Sequence, residues 1–185
     1  MARTAAVPVR SISRPQLLDR IGVVQRRWPL IVAAVGSCVA ATIHAVLTWP
    51  HFQYWLPAGV FFLACTVAQV VLSSALLGSA RIATLLSAIG TNVVVIAVYV
   101  VSRTAGIPGA PGIPAHGSRP GLGVPIIPGA VEKVGSNDIV ALIAEVAIVV
   151  LCAACLPERA RRWVTNALAA FGATLLGLWW VGVLS

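Results

Sequence analysis

Five apolar stretches of roughly twenty residues follow one another along this chain, and they constrain its fold more than any other feature. A hydrocarbon core about 30 Å thick is crossed by about 20 helical residues. Of the 185 residues, 59% are hydrophobic and only 10% are charged, which a soluble domain of this size could not keep in water. We therefore predict an all-α fold, a polytopic bundle of five transmembrane helices. The predicted spans are about 28–49, 55–78, 82–102, 137–156 and 163–183.

The basic residues predict how the bundle is oriented. The chain has 13 Lys and Arg against 5 Asp and Glu. In a soluble protein this excess would suggest nucleic acid, but Lys and Arg also accumulate on the cytoplasmic side of membrane proteins. With the N-terminus inside, ten basic residues lie on the cytoplasmic side, and Arg103, Arg119 and Lys133 lie outside. We predict a multi-pass protein of the plasma (cell inner) membrane, N-in/C-out, with the lipid bilayer as its partner and no nucleic acid.

Residues 1–27 form a basic segment ahead of the transmembrane part, 28–185. The segment contains six arginines and one acid, Asp19. Leu17, Leu18, Ile21 and Val24 have helical spacing, which fits a short amphipathic helix on an anionic membrane surface. A flexible basic tail explains the same charges, so both alternatives stay open.

A Gly/Pro-rich loop, 104–136, separates the third and fourth spans. It contains eight glycines and six prolines in 33 residues. This composition is typical of extended, polyproline-like chain that does not need to pack. We predict that the loop is extracytoplasmic.

Local patterns predict how neighbouring spans meet. Pro50 cannot donate a helical hydrogen bond, so a tight turn is predicted over 49–52. Small residues at four-residue spacing predict surfaces that another helix can approach closely. One such stripe lies in the first span and one in the fifth: Ala33, Ser37, Ala41 and Ala45, and Thr165, Ala169, Ala173 and Gly177.

A buried acid is the main functional signal. Glu145 lies roughly 12 Å inside the fourth span at about 1.5 Å per residue. A carboxylate at that depth costs at least about 2.5 kcal/mol unless it is neutral, hydrated or paired. The predicted orientation brings further polar groups into the outer half of the bundle, where Arg103 is the obvious cation for Asp138 or Glu145. The candidate ligand-binding residues are His44, His51, Tyr99, Arg103, Asp138 and Glu145.

Two interpretations of this polar layer stay open. It would line an outward-facing site in a non-enzymatic small-ligand or ion binding or transport component. Alternatively, it would only hold the helices in register, as in a structural or assembly subunit of a larger membrane complex. In either case another membrane protein or a second copy of the chain is a plausible partner.

Other polar residues carry weaker signals. The chain has no G-x-S-x-G, P-loop or H-E-x-x-H motif, so we predict no catalytic residue, cofactor or metal, and the question of an enzyme stays open with the sequence leaning against one. Gln69 and Asn92 are predicted to bond between helices. Cys152 and Cys155 form a C-A-A-C sequence, interpreted as two small buried residues rather than a redox pair.

Several short motifs, spread over the middle of the chain, carry a resemblance to other proteins. They are His44, H-F-Q-Y-W at 51–55, A-G-V-F-F at 58–62, Ala68-Gln69, Asn92, V-S-R-T-A-G-I-P at 101–108, and V-E-K-V-G-S-N-D at 131–138 followed by Glu145. Over about residues 40–150, the chain resembles a group of small multi-pass membrane proteins of actinobacteria that has no established activity. The resemblance implies the topology and the choice of polar positions, but no mechanism. The long Gly/Pro-rich loop departs from the group's pattern, in which the connection between the Ser-Arg-Thr segment and the acidic helix is shorter.

Overall fold

The computed structural model describes residues 14–104, 107 and 134–180, and these fold into five α-helices. The first thirteen residues, most of the Gly/Pro-rich loop and the last five residues lie outside the described part, so their structures stay predictions. The helices are α1 (Arg14–Tyr54), α2 (Leu56–Gly78), α3 (Ile82–Thr104), α4 (Ser136–Cys155) and α5 (Glu158–Trp180).

Four of the described helices are long and apolar enough to cross a membrane. They are the stretch Arg27–Gln53 within α1 and the whole of α2, α3 and α4. Branched aliphatic side chains such as Val35, Val67 and Val150 are exposed on their outer faces. In water these faces would form large apolar patches, whereas lipid tails would solvate them. The all-helical class is confirmed, and the fold is compatible with an integral membrane protein.

Helix α1 is longer than the sequence predicts. It runs without a break through Pro29 and Pro50, so residues 14–26 of the basic segment continue directly into the first apolar span. The predicted turn over 49–52 is wrong, since the chain turns at Trp55, where the backbone is extended (φ −157°, ψ 111°). A proline removes one helical hydrogen bond but does not oblige the helix to end, because nearby side chains can bond the backbone in its place.

The corner between α1 and α2 depends on Gly59. Phe52, near the end of α1, packs directly on the backbone of Gly59, and a Cβ at that position would lie 2.7 Å from the Phe52 Cα. Backbone cannot move aside as the end of a flexible side chain can. The absence of a side chain at Gly59 therefore lets α2 fold back closely against α1.

Helices α1 to α4 form a ring. Helix α1 packs on α2 and α4, and α3 packs on the same two helices from the opposite side. The predicted stripe in the first span is largely buried at Ala33, Ser37 and Ala41 but exposed at Ala45. Within the described residues, α5 packs on α4 alone and lies outside the ring. The predicted stripe on α5 is exposed there rather than buried against another helix.

One end of the ring has an apolar core and the other a polar one. The end that carries the α2–α3 and α4–α5 turns, here called the inner end, is filled by Leu76, Leu85 and Ile148. Cys152 is buried among them and Cys155 is half-buried, and both are free thiols. The outer end carries the α1–α2 corner and the start of α4, and its interior contains the polar groups described next.

Candidate functional site

The most deeply buried ionisable pair joins α1 to α4. His44 Nε2 lies 3.0 Å from Glu145 Oε1. Only 4% of His44 and 2% of Glu145 are exposed. Helical periodicity puts His44 on the same buried face as Ser37, and Glu145 on the same face as Ile148. The predicted need of Glu145 for a partner is met by a histidine.

The second nitrogen of His44 is the notable feature of this pair. Nδ1 is buried and has no hydrogen-bond partner among the described residues. A buried polar atom without a partner costs free energy, so such an atom marks a place where water or a ligand can bind.

The second charged pair joins α3 to the start of α4. Arg103 Nη2 donates to Asp138 Oδ2 over 2.8 Å, and 13% and 20% of the two side chains are exposed. The same carboxylate oxygen accepts the backbone N–H of Gly135, also at 2.8 Å. Asp138 therefore closes the first turn of α4, where a negative charge is favourable to the helix dipole. The guanidinium of Arg103 also lies over the Tyr99 ring, 5.3 Å from its centre.

The aromatic ring of Phe62 contacts both histidines of the candidate site. The centre of the His51 ring lies 4.1 Å from that of Phe62, and the centre of the His44 ring lies 5.7 Å from it, both in tilted arrangements. His51 Nδ1–H donates to the carbonyl oxygen of Leu47 over 2.7 Å. His51 also lies within electrostatic range of Arg103 and Asp138. The candidate residues thus form an inner pair, His44 and Glu145, and an outer group, His51, Tyr99, Arg103 and Asp138. Phe62 contacts the histidine of each.

Sequence reasoning missed Phe62, although a signal was present. Phe62 lies seven residues before Gln69, on the face of α2 that also carries the buried Cys65. An aromatic residue on a polar, inward helix face is a sign of contact with the groups there.

A neutral hydrogen-bond network lies deeper in the bundle. The Ser37 hydroxyl on α1 donates to the Gln69 side chain on α2, and Gln69 Nε2 donates to Asn92 Oδ1 on α3 over 2.9 Å. Asn92 Nδ2 then donates to the carbonyl of Ala88 over 2.7 Å. Ser37, Gln69 and Asn92 are fully buried. The bond between Gln69 and Asn92 joins α2 to α3, so the prediction that these two residues bond between helices is confirmed. Ser37, which the sequence marked only as a small residue, completes the network.

The described residues also bear on metal binding. They include no group of three or more His, Cys, Asp and Glu side chains arranged to hold a metal ion. Cys65, Glu145 and His44 do not form such a group.

Comparisons with protein-family models, with curated proteins and with solved structures found no match for this chain. The class of the protein therefore rests on its own helices, four of which have the length and apolar character of membrane spans.

Proposed function

We propose that this chain is a five-span protein of the plasma membrane, N-in/C-out, and that it binds a proton at the His44–Glu145 pair. The ten-to-three distribution of basic residues supports the orientation. The apolar residues of α5 that follow its basic first turn support a fifth span. The contact between His44 and Glu145 at 3.0 Å, in the interior of the helix ring, carries the proposal of an ion-binding component.

The charge of the pair favours binding of a proton. With one proton between the two groups, His44 Nε2–H donates to a carboxylate and the pair is left with a net negative charge. A second proton makes the pair neutral overall, as imidazolium with carboxylate or as imidazole with carboxylic acid. Net charge inside a membrane is costly, so uptake of this proton stabilises the site.

The neutral pair creates a second requirement. When the imidazolium donates to the carboxylate, or the carboxylic acid donates to Nε2, Nδ1 of His44 carries a hydrogen, and the described residues offer it no acceptor. A water molecule or a small polar ligand with an acceptor atom would satisfy this hydrogen. The site is therefore suited to bind such a molecule together with the proton, which fits a binding or transport component better than a purely structural pair.

The outer group defines the route to the pair. Arg103 and Asp138 are partly exposed, whereas His44 and Glu145 are not. Phe62 lies against both histidines. We infer that access to His44 from the outer end leads past His51 and is restricted by the ring of Phe62.

Infrared spectroscopy of the purified protein tests the proton site. A protonated carboxylic acid has a C=O stretch that is separate from the carboxylate bands, so titration of Glu145 appears as loss of that band as the pH rises. We expect the band in the wild-type protein and its absence in Glu145→Gln. Asp138→Asn is the matched control and should retain it. A wild-type spectrum in which neither this band nor the imidazolium ring band of His44 titrates, or a carboxylic acid band that persists in Glu145→Gln, would contradict the proposal.

The route has its own test. Histidine modification by diethyl pyrocarbonate, mapped by mass spectrometry, should label His51 faster than His44 in the wild-type protein. Phe62→Ala should raise the labelling rate of His44, whereas Phe61→Ala should not, because no contact of Phe61 with a histidine is observed and its ring meets that of Phe62. Equal rates for His44 in the wild type and both variants would exclude Phe62 as the barrier.

A second candidate function is that of a structural or assembly subunit. The observation that favours it is that buried or half-buried polar side chains bond across all four helices of the ring, in the two charged pairs and in the Ser37–Gln69–Asn92 network. Native purification from the source membrane, with mass spectrometry of the copurified proteins, distinguishes the two. An assembly subunit copurifies with another protein at fixed stoichiometry, whereas a binding component is stable alone.

A further inference from the structure

A basic face on the first turns of α5 has no role in the polar site. A shallow cavity there is lined by Arg159, Arg162, Trp163 and Asn166. These residues follow one another at helical spacing, so they share one face of α5. The face lies at the inner end of the bundle, next to the α4–α5 turn.

The arginines of this face are exposed and accessible to a ligand. Arg162 has an ion pair with Glu158 at 3.5 Å, but more than 70% of the arginine side chain and 70% of the glutamate are exposed, so the pair is weak. Arg159 and Arg162 are three residues apart, and each guanidinium can bind two oxygens of a phosphate. The ligand that this chemistry fits is therefore an anion with several oxygens.

The rest of α5 indicates where the anion comes from. Helix α5 packs on the core through Val164 and Leu168, and its other faces are exposed. Trp163 is 72% exposed, as in the aromatic belts at membrane interfaces. Above it, Ala170 and Ala173 are small and exposed, which leaves room for an acyl chain beside the helix.

We propose that Arg159 and Arg162 bind the phosphate of an anionic phospholipid, with Trp163 at the level of its ester groups and an acyl chain along the small residues of α5. Asn166 supplies a further hydrogen-bonding group at the edge of the same cavity. The proposal rests on the proposed fifth span but not on the proton site.

Native mass spectrometry of the full chain tests the proposal. The protein is purified in detergent and given phosphatidylglycerol or the zwitterionic phosphatidylcholine at equal concentration. The wild type should retain phosphatidylglycerol preferentially. Arg159→Gln/Arg162→Gln should weaken its binding by about thirtyfold, from about 1 kcal/mol for each arginine. Equal retention of the two lipids by the wild type would overturn the proposal.

A matched control separates a local site from general surface charge. Arg81→Gln/Arg161→Gln removes the same two charges from the inner end, but from the α2–α3 turn and from another face of α5. This control should change phosphatidylglycerol binding by less than about threefold. An equal loss in both double variants would show a diffuse effect and overturn the site.

Two further measurements complete the test. If inorganic phosphate at millimolar concentration displaces the lipid from the wild type, the site is for free phosphate and the lipid assignment is wrong. A reporter that finds the C-terminus in the cytoplasm would remove the fifth span, which is a different failure from loss of lipid selectivity. All four substituted arginines are exposed, so thermal unfolding should be the same in both double variants.

Discussion

Coupling between His44 and Glu145 is the sharpest test of the site. His44→Leu removes the only hydrogen-bond partner that the described residues give to the Glu145 carboxylate, and only 5% of the His44 side chain and 3% of the Glu145 side chain are exposed. Removal of one member of a buried charged pair typically costs about 3–5 kcal/mol, because the other charge is stranded. We expect a loss of free energy of unfolding in that range.

The second single variant should be milder. Glu145→Gln keeps the shape of the side chain and a hydrogen bond to the imidazole, so its cost should be about 1–2 kcal/mol. In the double variant no charge is stranded, and its loss should be smaller than the sum of the single losses by about 2–3 kcal/mol. The double variant should therefore be close in stability to, or more stable than, His44→Leu.

The assay is reversible unfolding in mixed detergent micelles, followed by circular dichroism for all four members of the cycle. His44→Leu with Asp138→Asn serves as a control cycle, since Asp138 bonds Arg103 and Gly135 instead. Its two losses should add within about 0.5 kcal/mol. If the losses of His44→Leu and Glu145→Gln also add, the observed contact is not an energetic pair and the reasoning about the proton site fails.

Three further predictions concern the fold. Gly59→Ala should destabilise the protein by about 1–3 kcal/mol, because the added methyl group would overlap with Phe52 at the α1–α2 corner. Gly90→Ala, whose methyl group would face open space, should be nearly neutral. Thermal unfolding measures both. A reporter fused after Ser185 should be extracytoplasmic and one within 158–162 cytoplasmic, and a cytoplasmic C-terminus would refute the five-span topology. Deletion of about ten residues from 107–130 should leave expression and thermal stability nearly unchanged, and a large loss of folded protein would show that the loop packs.

The α1–α2 corner shows why a prediction from neighbouring residues alone can fail. Pro50 is a strong local signal for a break, yet the helix continues to Tyr54 and the turn occurs at Trp55. Pro50 removes one backbone hydrogen bond of α1, but the part of the helix that follows it carries Phe52, which packs on Gly59 of α2. The position of a turn thus depends on a contact between two helices, which a single helix cannot predict.

The sequence by itself determined the helical class, the apolar stretches and the inward orientation of Glu145, Gln69 and Asn92, because hydrophobic length and helical periodicity are local properties of a chain. It left open whether Arg103 serves Asp138 or Glu145. The tertiary structure decided that Arg103 binds Asp138 while His44 binds Glu145. Partner choice depends on the order of helices around the ring and on their axial offset. Both are set by packing between distant parts of the chain, which no local pattern encodes.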